Sequence, residues 1–289
     1  MISILITAYR EEKTIGKCIE SFKQQNIKEK YEIIVIAPDK ETLDEAKKHR
    51  VQTLKDPKKG KPVALNLAFK KAKGKILVLT DGDVYSSENS LQELLKPFKD
   101  PKVGAVAARP KSLNSRRTML GYWSHLLTDV GAHKTRLRRS NQGKFILCSG
   151  YLYAMRKIID KLPEEALSDD AIISHMIWKK GYKIAYAPKA LVYVKYPTNF
   201  KDWFIQKRRS TGGYNQIPKY IKNPQRMRSF FRELIYSYQA WSYPKNIKEV
   251  FYTLTLYFVK LYLWFRIFLD LNIRKKTLKE IWTRVESTK

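Results

Sequence analysis

The sequence predicts an α/β chain whose mostly parallel sheet carries helices on both faces, and three observations support that expectation. Short apolar runs alternate with stretches of helical spacing from the first residues onward. The runs are continuous rather than alternating, which is the pattern of strands buried on both faces. Strand and helix take turns, and that order builds a parallel sheet with its binding loops after each strand.

Residues 2–7 (ISILIT) read as the first strand and 13–24 as the first helix. The unit repeats with 31–37 and 42–49, with 51–54 and 63–72, and with 76–80 and 91–98. Residues 103–108 add a strand. From 109 to 144 the chain turns basic and aromatic, with a helix expected in the middle and loops at the ends. Strand character returns at 145–155, helical spacing at 171–180, and two short strands follow at 183–187 and 191–195. Beyond Tyr214, residues 229–241 and 250–271 form aromatic-rich helical stretches parted by Tyr243-Pro244, and 277–286 read as a charged helix. The expected division is an α/β domain over 1–214 and a helical extension over 215–289.

A chain of 289 residues with 44 % hydrophobic content can bury a full core, which excludes a disordered chain. Its 57 Lys+Arg against 27 Asp+Glu leave a formal charge of +30, so a polyanionic partner is expected: nucleic acid, anionic lipid or a diphosphate-bearing substrate. Cys18 and Cys148 are too few for a disulfide framework and show no metal spacing, which fits packing residues in a reducing compartment. MISILITAY runs straight into a strand with no basic leader, so no signal peptide is expected. Residues 250–271 are long enough to cross a bilayer, but Lys260, Arg266 and Asp270 interrupt them and both flanks are basic. A helix lying in the membrane plane, with Lys260 and Arg266 snorkelling, fits better than a single crossing.

The chemistry-bearing residues cluster after strands. Asp81-Gly82-Asp83 follows the apolar run 76–79, at the sheet edge where open α/β sheets bind ligands. Two hard oxygen donors there suit Mg²⁺ or Mn²⁺ against a phosphate, though an Asp-Gly turn also simply ends strands. Thr7-Ala8-Tyr9 sits between strand and helix, where a nucleotide can lie over the helix N-terminus and Glu11 or Glu12 can accept from a base or ribose. The alternative is an acidic first turn that complements the helix dipole. Asp39 in IVIAPDKET can cap the following helix together with Thr42. GKPVALN offers Lys61 for a diphosphate, against the plain reading of a solvated helix lysine. Gly150 allows close substrate approach, or is an ordinary turn. Asp169 and Asp170 form a second acidic pair at a helix start, as a base or as caps.

In this order and approximate spacing the stretches resemble the family 2 glycosyltransferases, inverting enzymes with the GT-A nucleotide-diphospho-sugar transferase fold. The resemblance covers roughly residues 1–214. It implies metal-dependent transfer of a sugar from a nucleotide-diphospho-sugar to a hydroxyl or phosphate, on a lipid-linked or glycan acceptor. Thr7, Tyr9 and Glu11 fall in the family's Pro-Ala-Tyr-Asn-Glu-Glu opening, with Thr7 for Pro and Arg10 for Asn. Asp39 comes about two places later than the family's acidic turn that holds the nucleoside, a role the resemblance carries over to it only weakly. Lys61 matches the Gly-Lys-x-x-Ala-Leu-Asn segment, whose Asn66 would brace the loop. By resemblance Asp83 ligates Mn²⁺ or Mg²⁺, Asp81 binds ribose or the metal shell, Gly150 lies under the donor sugar, and Asp170 is the general base. Gln206 and Arg209 match the Gln-x-x-Arg-Trp element of the processive synthase branch. Ser210 replaces its Trp, which leaves single transfer as open as repeated addition. Tyr122, Trp123, His125 and His133 are candidates for lining an acceptor pocket. The expected setting is the cytoplasmic face of a membrane with an anionic surface.

Two other readings compete. A basic nucleic-acid-binding protein would use the 109–144 stretch and the tail, with Tyr122 and Trp123 stacking on bases. No helix-turn-helix, zinc or RNA-binding signature accompanies the charge, and the two carboxylate pairs would have no purpose. A sugar nucleotidyltransferase would open on a Gly-rich phosphate loop, and no glycine precedes Gly16.

Overall fold

The computed structural model describes residues 1–225, 227, 230–274 and 287–288. The order runs β1 (Ile2–Thr7), α1 (Ile15–Lys23), β2 (Tyr31–Ala37), α2 (Lys40–Lys48), β3 (Gln52–Lys55), α3 (Lys61–Lys71), β4 (Ile76–Asp81), β5 (Val84–Ser86), α4 (Ser90–Leu95) and β6 (Val103–Ser112). There follow α5 (Met119–Leu126), α6 (Thr135–Asn141), β7 (Leu152–Arg156), α7 (Asp169–Lys179), β8 (Lys183–Val194), α8 (Phe200–Gly213), α9 (Ile217–Tyr220), α10 (Phe230–Ile235) and α11 (Ile247–Phe268). The charged helix expected over 277–286 lies outside the described residues.

Among the described residues the eight strands join one sheet in the order β3-β2-β1-β4-β7-β6-β8-β5. β1 is parallel to both β2 and β4, and β2 to β3, so the first four strands form the parallel half that the apolar runs imply. β7 is antiparallel to β4 and β6, and β5 to β8. β1 is buried along its whole length, because α/β layering leaves a central strand no wet face. The parallel register sets Thr7 beside Asp81, so the carboxyl ends of β1 and β4 finish level.

Two regions depart from the expected elements. Only Leu152–Arg156 of the 145–155 run joins the sheet. The preceding backbone is satisfied by side chains instead: Arg139 Nε donates to Phe145 O, Arg136 Nε to Leu147 O, and Cys148 N–H to Ser174 Oγ. The two strands expected around Pro188 are one, β8. Its residues 192–194 pair with β5, while Lys183 N–H donates to Lys102 O near the start of β6, so the proline's missing donor falls between the two pairings.

The chain divides into two compact units, one of Met1–Lys111 and Arg136–Val194, the other of Ser112–Thr135 and Lys195–Thr288. The first holds the sheet. The core of the second is aromatic: Tyr122, Trp123, Leu126, Trp203 and Leu256 cluster, with the Trp123 and Trp203 rings 5.1 Å apart. Polar locks secure it. Tyr122 Oη meets Thr253 Oγ1 at 2.6 Å, Trp123 Nε1 donates to Tyr252 O at 2.7 Å, and Arg116 grips Glu249 through bonds of 2.6 and 2.8 Å. Tyr122 and Trp123 are thus core residues with no exposed ring, which removes them both as acceptor-pocket lining and as stacking platforms for bases. His125 is bonded to Asn114 O. Lys260, expected to snorkel, pairs with Glu233 at 2.6 Å.

Candidate active site

Four loops meet at the carboxyl edge of the parallel strands. Asp81 ends β4, and its Oδ1 accepts from Lys61 Nζ at 2.6 Å. Lys61 is the first residue of α3, turned inward by Gly60 at φ 106°, a left-handed conformation that favours glycine. Thr7 Oγ1 lies 3.4 Å from Asp81 Oδ1. Gly82 passes so close to α1 and its leading loop that a Cβ there would sit 2.8 Å from Ala8 Cβ and 3.2 Å from Ile15 Cδ1. That close approach fixes where Asp81 and Asp83 can point. Burial pushes the Cys18 thiol well up, and the Asp83 and Asp81 charges push it further, so this thiol is a packed neutral group.

The second acidic pair opens α7. Lys61 Nζ also lies 3.5 Å from Asp169 Oδ2, so one ammonium joins carboxylates from β4 and α7. Burial alone would lower its pKa, but Asp169 and Asp81 outweigh that and hold the ammonium above the usual lysine range. Asp170 accepts the Gly150 N–H at 3.0 Å and the Ala171 N–H at 2.8 Å. Burial and the neighbouring Asp169 charge push its carboxyl up to about 6, against the opposing pull of Lys61, the Ala171 N–H and Arg136. A carboxylate titrating just below neutral is poised to take a proton. Gly150 has a further role here, since its amide holds Asp170 and a Cβ on it would lie 3.4 Å from Asp170 Oδ2. Asn66 braces the approach to α7, donating to Leu162 O and accepting from Leu162 N–H at 2.9 and 2.7 Å.

The loops after β1, β2 and β3 line an open cleft of about 440 Å³ through Tyr9, Arg10, Glu12, Asp39, Glu41 and Lys58, and neither Asp81 nor the Asp169–Asp170 pair is part of its lining. The Arg10 guanidinium and Lys58 ammonium lie 5.3 and 5.5 Å from the centre of the Tyr9 ring. Asp39 accepts from Arg10 N–H at 2.9 Å and from Thr42 N–H at 3.1 Å, so it caps α2 and also ties the two loops together. Glu11 is buried and holds Thr14 Oγ1 at 2.8 Å, and Glu12 faces the cleft instead. Gln206 and Arg209 lie on α8, in the second unit, where Gln206 Oε1 is buried without a hydrogen-bond partner.

Among the described residues no three His, Cys, Asp or Glu side chains converge as a complete metal cage. Two aspartates on one tight turn do suit a hard cation that takes its remaining oxygens from phosphate. Sequence reasoning passed over Tyr153, whose buried hydroxyl has no hydrogen-bond partner; burial, then Asp169, Cys148, Asp170 and Asp81, push its pKa well up. Strand alternation was the available signal. Tyr153 pairs with Leu79 across β7 and β4, and Asp81 lies two residues beyond Leu79 on the same face. Arg10 and Lys58 carried no signal among so many basic residues.

Comparison with known proteins bears on the family and the fold. Residues 1–213 match the family described as Glycosyltransferase like family 2. The probable glycosyltransferase YdaM of Bacillus subtilis is 26 % identical over 233 residues, covering 75 % of this chain and 56 % of its own. A hyaluronan synthase of Streptococcus pyogenes is 27 % identical over 186 residues, 62 % of this chain and 42 % of its own. The chain therefore spans about half the length of the curated relatives it matches. Among solved structures, a mannosyltransferase from Pyrobaculum calidifontis in complex with GDP-Man and Mn²⁺ superposes with a TM-score of 0.60 at 19 % identity, over 88 % of this chain and 73 % of its own. That likeness gives the sheet and its helices a GT-A-like fold, and with the match over 1–213 the chain belongs to glycosyltransferase family 2.

Proposed function

We propose that this protein transfers a sugar from a nucleotide-diphospho-sugar, with inversion, to a hydroxyl or phosphate of a lipid-linked or glycan acceptor at the cytoplasmic face of a membrane. The observation that carries the reading is Lys61, whose ammonium joins Asp81 and Asp169 at the carboxyl edge of the parallel strands, the edge from which the cleft-lining loops after β1 and β2 also leave. Two carboxylates from separate elements with a cation between them are what a diphosphate leaving group and an attacking hydroxyl together require.

In this reading Tyr9 and Asp39 hold the base and ribose in the cleft, Glu11 fixes the loop that carries Tyr9 through its bond with Thr14, Thr7 positions Asp81, and Asp81 takes a ribose hydroxyl or the metal shell. Lys61 turns from its carboxylates to the diphosphate. Asp170 takes the proton of the acceptor hydroxyl as that oxygen bonds to the anomeric carbon and the bond from that carbon to the diphosphate breaks. Gly150 holds Asp170 by its amide and leaves room for the sugar. Asp83, with Asp81, would hold Mn²⁺ or Mg²⁺, which neutralises charge on the departing diphosphate. The Mn²⁺ in the mannosyltransferase complex supports that metal. Gln206 and Arg209 keep the diphosphate role that resemblance implies, and Ser210 in place of the processive branch's Trp leaves single transfer as open as repeated addition.

The test is thermal stabilisation of the purified chain by nucleoside diphosphates and sugar nucleotides, with and without Mn²⁺ or Mg²⁺. A ligand that binds only the folded state raises the Tm, by an amount equivalent to about 2.7 kcal/mol at a hundred times its Kd. The expected result is a metal-dependent rise with one nucleotide, lost in Asp83→Ala. No rise with any donor, together with salt-sensitive binding of DNA or RNA, would overturn the reading.

A further inference from the structure

α11 has two unlike faces, and their difference decides how the second unit meets a membrane. Phe251, Leu254, Phe258, Leu261, Phe265 and Phe268 recur at steps of three and four, a single stripe along the helix, and are 42–66 % exposed. No charged residue falls on that stripe. The stripe runs the length of a helix of 22 residues, about 33 Å at 1.5 Å per residue.

The opposite face is fully engaged. Glu249, Thr253, Leu256, Leu263 and Ile267 are buried there, with Glu249 gripped by Arg116 and Thr253 bonded to Tyr122. Just past the helix, buried Asp270 pairs with Arg208 of α8 at 2.7 Å. A crossing helix would have to strip these contacts and leave Arg116, Glu249 or Asp270 without a partner in or beside hydrocarbon.

The rims of the stripe differ as well. Lys248 and Arg266 are eighteen residues apart, about five turns, and so share one flank of α11. Arg266 lies along Tyr262, its Nη1 3.1 Å from the phenol oxygen, and Lys245 and Arg274 extend the basic character beyond the helix ends. On the other flank α10 and the turn after it sit against α11: Trp241 stacks on Tyr257 at 5.5 Å, and Glu233 neutralises Lys260. Phe231, Ile235, Tyr238 and Trp241 are exposed there and widen the apolar surface.

We propose that this surface docks flat on an anionic lipid bilayer, with α11 in the plane of the interface, its phenylalanine stripe below the headgroups and Lys248 and Arg266 at headgroup level. Charge selects this occupant over a second copy of the chain, because two chains of net charge +30 repel while anionic lipid attracts both the rim and the whole molecule. The inference rests on the membrane setting proposed above and not on the donor chemistry, and vesicle binding is read with no nucleotide present. If vesicle binding fails, the donor-induced Tm rise still stands, and the reverse is equally true.

The full chain is floated with vesicles of phosphatidylcholine, with and without phosphatidylglycerol. Binding is expected to need phosphatidylglycerol, to weaken with salt, and to fall about tenfold with each of Phe251→Glu and Phe258→Glu. These positions face outward, so an unchanged Tm shows that each variant folds. Lys248→Glu with Arg266→Glu is expected to weaken binding several-fold. Orientation is read with Ile247→Cys and Ile273→Cys, both exposed, against buried native cysteines. An impermeant maleimide added outside labels both ends equally if α11 lies flat. Protection of one end alone would overturn the in-plane placement. Absence of binding to anionic vesicles, or a lipid-free dimer dispersed by Phe258→Glu, would overturn the proposal.

Discussion

Asp170 offers the sharpest test of the site, because its environment predicts a rate profile that an ordinary carboxylate would not give. With its pKa raised to about 6, Asp170 is about 90 % ionised at pH 7 and about 10 % at pH 5. A base must be ionised to accept a proton, so kcat/KM for release of nucleoside diphosphate from the donor is expected to fall roughly tenfold between those pH values. A carboxylate at its ordinary 3.8 would still be about 94 % ionised at pH 5, and the rate would hardly change. The neighbours give the sign of two further shifts. Asp169→Asn removes a charge that raises Asp170, so the acid limb moves to lower pH; Lys61→Met removes a cation that lowers it, so the limb moves to higher pH. Asp170→Asn should cost about 10²–10⁴ in rate with little change in Tm. A wild-type profile flat from pH 7 to pH 5, or a limb that Asp169→Asn leaves in place, would refute the assignment of Asp170 as base.

Two substitutions test the scaffold of the site. Asp39→Ala removes the α2 cap and the link to Arg10, and is expected to cost about 0.5–2 kcal/mol in urea unfolding as well as weaken nucleotide binding. Burial opposes ionisation of Asp39, but its bonds from Thr42 and Arg10 win and hold the carboxyl below its usual value. A depressed folded-state pKa gives stability that is present above the unfolded value and lost as pH falls through the folded one. The Asp39→Ala deficit should therefore shrink below about pH 4. Gly82→Ala puts a methyl 2.8 Å from Ala8 Cβ, and the overpacking is expected to cost about 1–3 kcal/mol. An unchanged Tm would show that the β4 turn yields.

What could be read in advance followed from how each signal is written in the chain. β1, β2 and β4 were legible because burial on both faces leaves an uninterrupted apolar run, and Asp81 because an acid at the end of such a run is conspicuous. The irregular path of 145–150 was not, since its backbone bonds go to Arg136, Arg139 and Ser174, side chains with no local mark of that purpose. Lys61 was found as part of a motif, but its bridge from Asp81 to Asp169 joins residues far apart in a chain with 57 basic side chains. The aromatic 109–144 stretch was misleading for a related reason. Tyr122 and Trp123 look available in sequence, and only the arrival of α11 shows that they are covered.

That dependence has a consequence for how the protein is made. α5 leaves the ribosome long before its lids do: Trp123 bonds to a residue 129 positions later, and Arg116 to one 133 positions later. The nascent chain can complete its parallel strands while two large aromatic side chains still wait uncovered. α11 is then a closing piece as well as an appendage. A chain cut after residue 214 would keep every aspartate of the site and leave Tyr122 and Trp123 without their partners on α11, Thr253, Tyr252 and Leu256. Such a fragment is a candidate for chaperone capture before it is a candidate for catalysis.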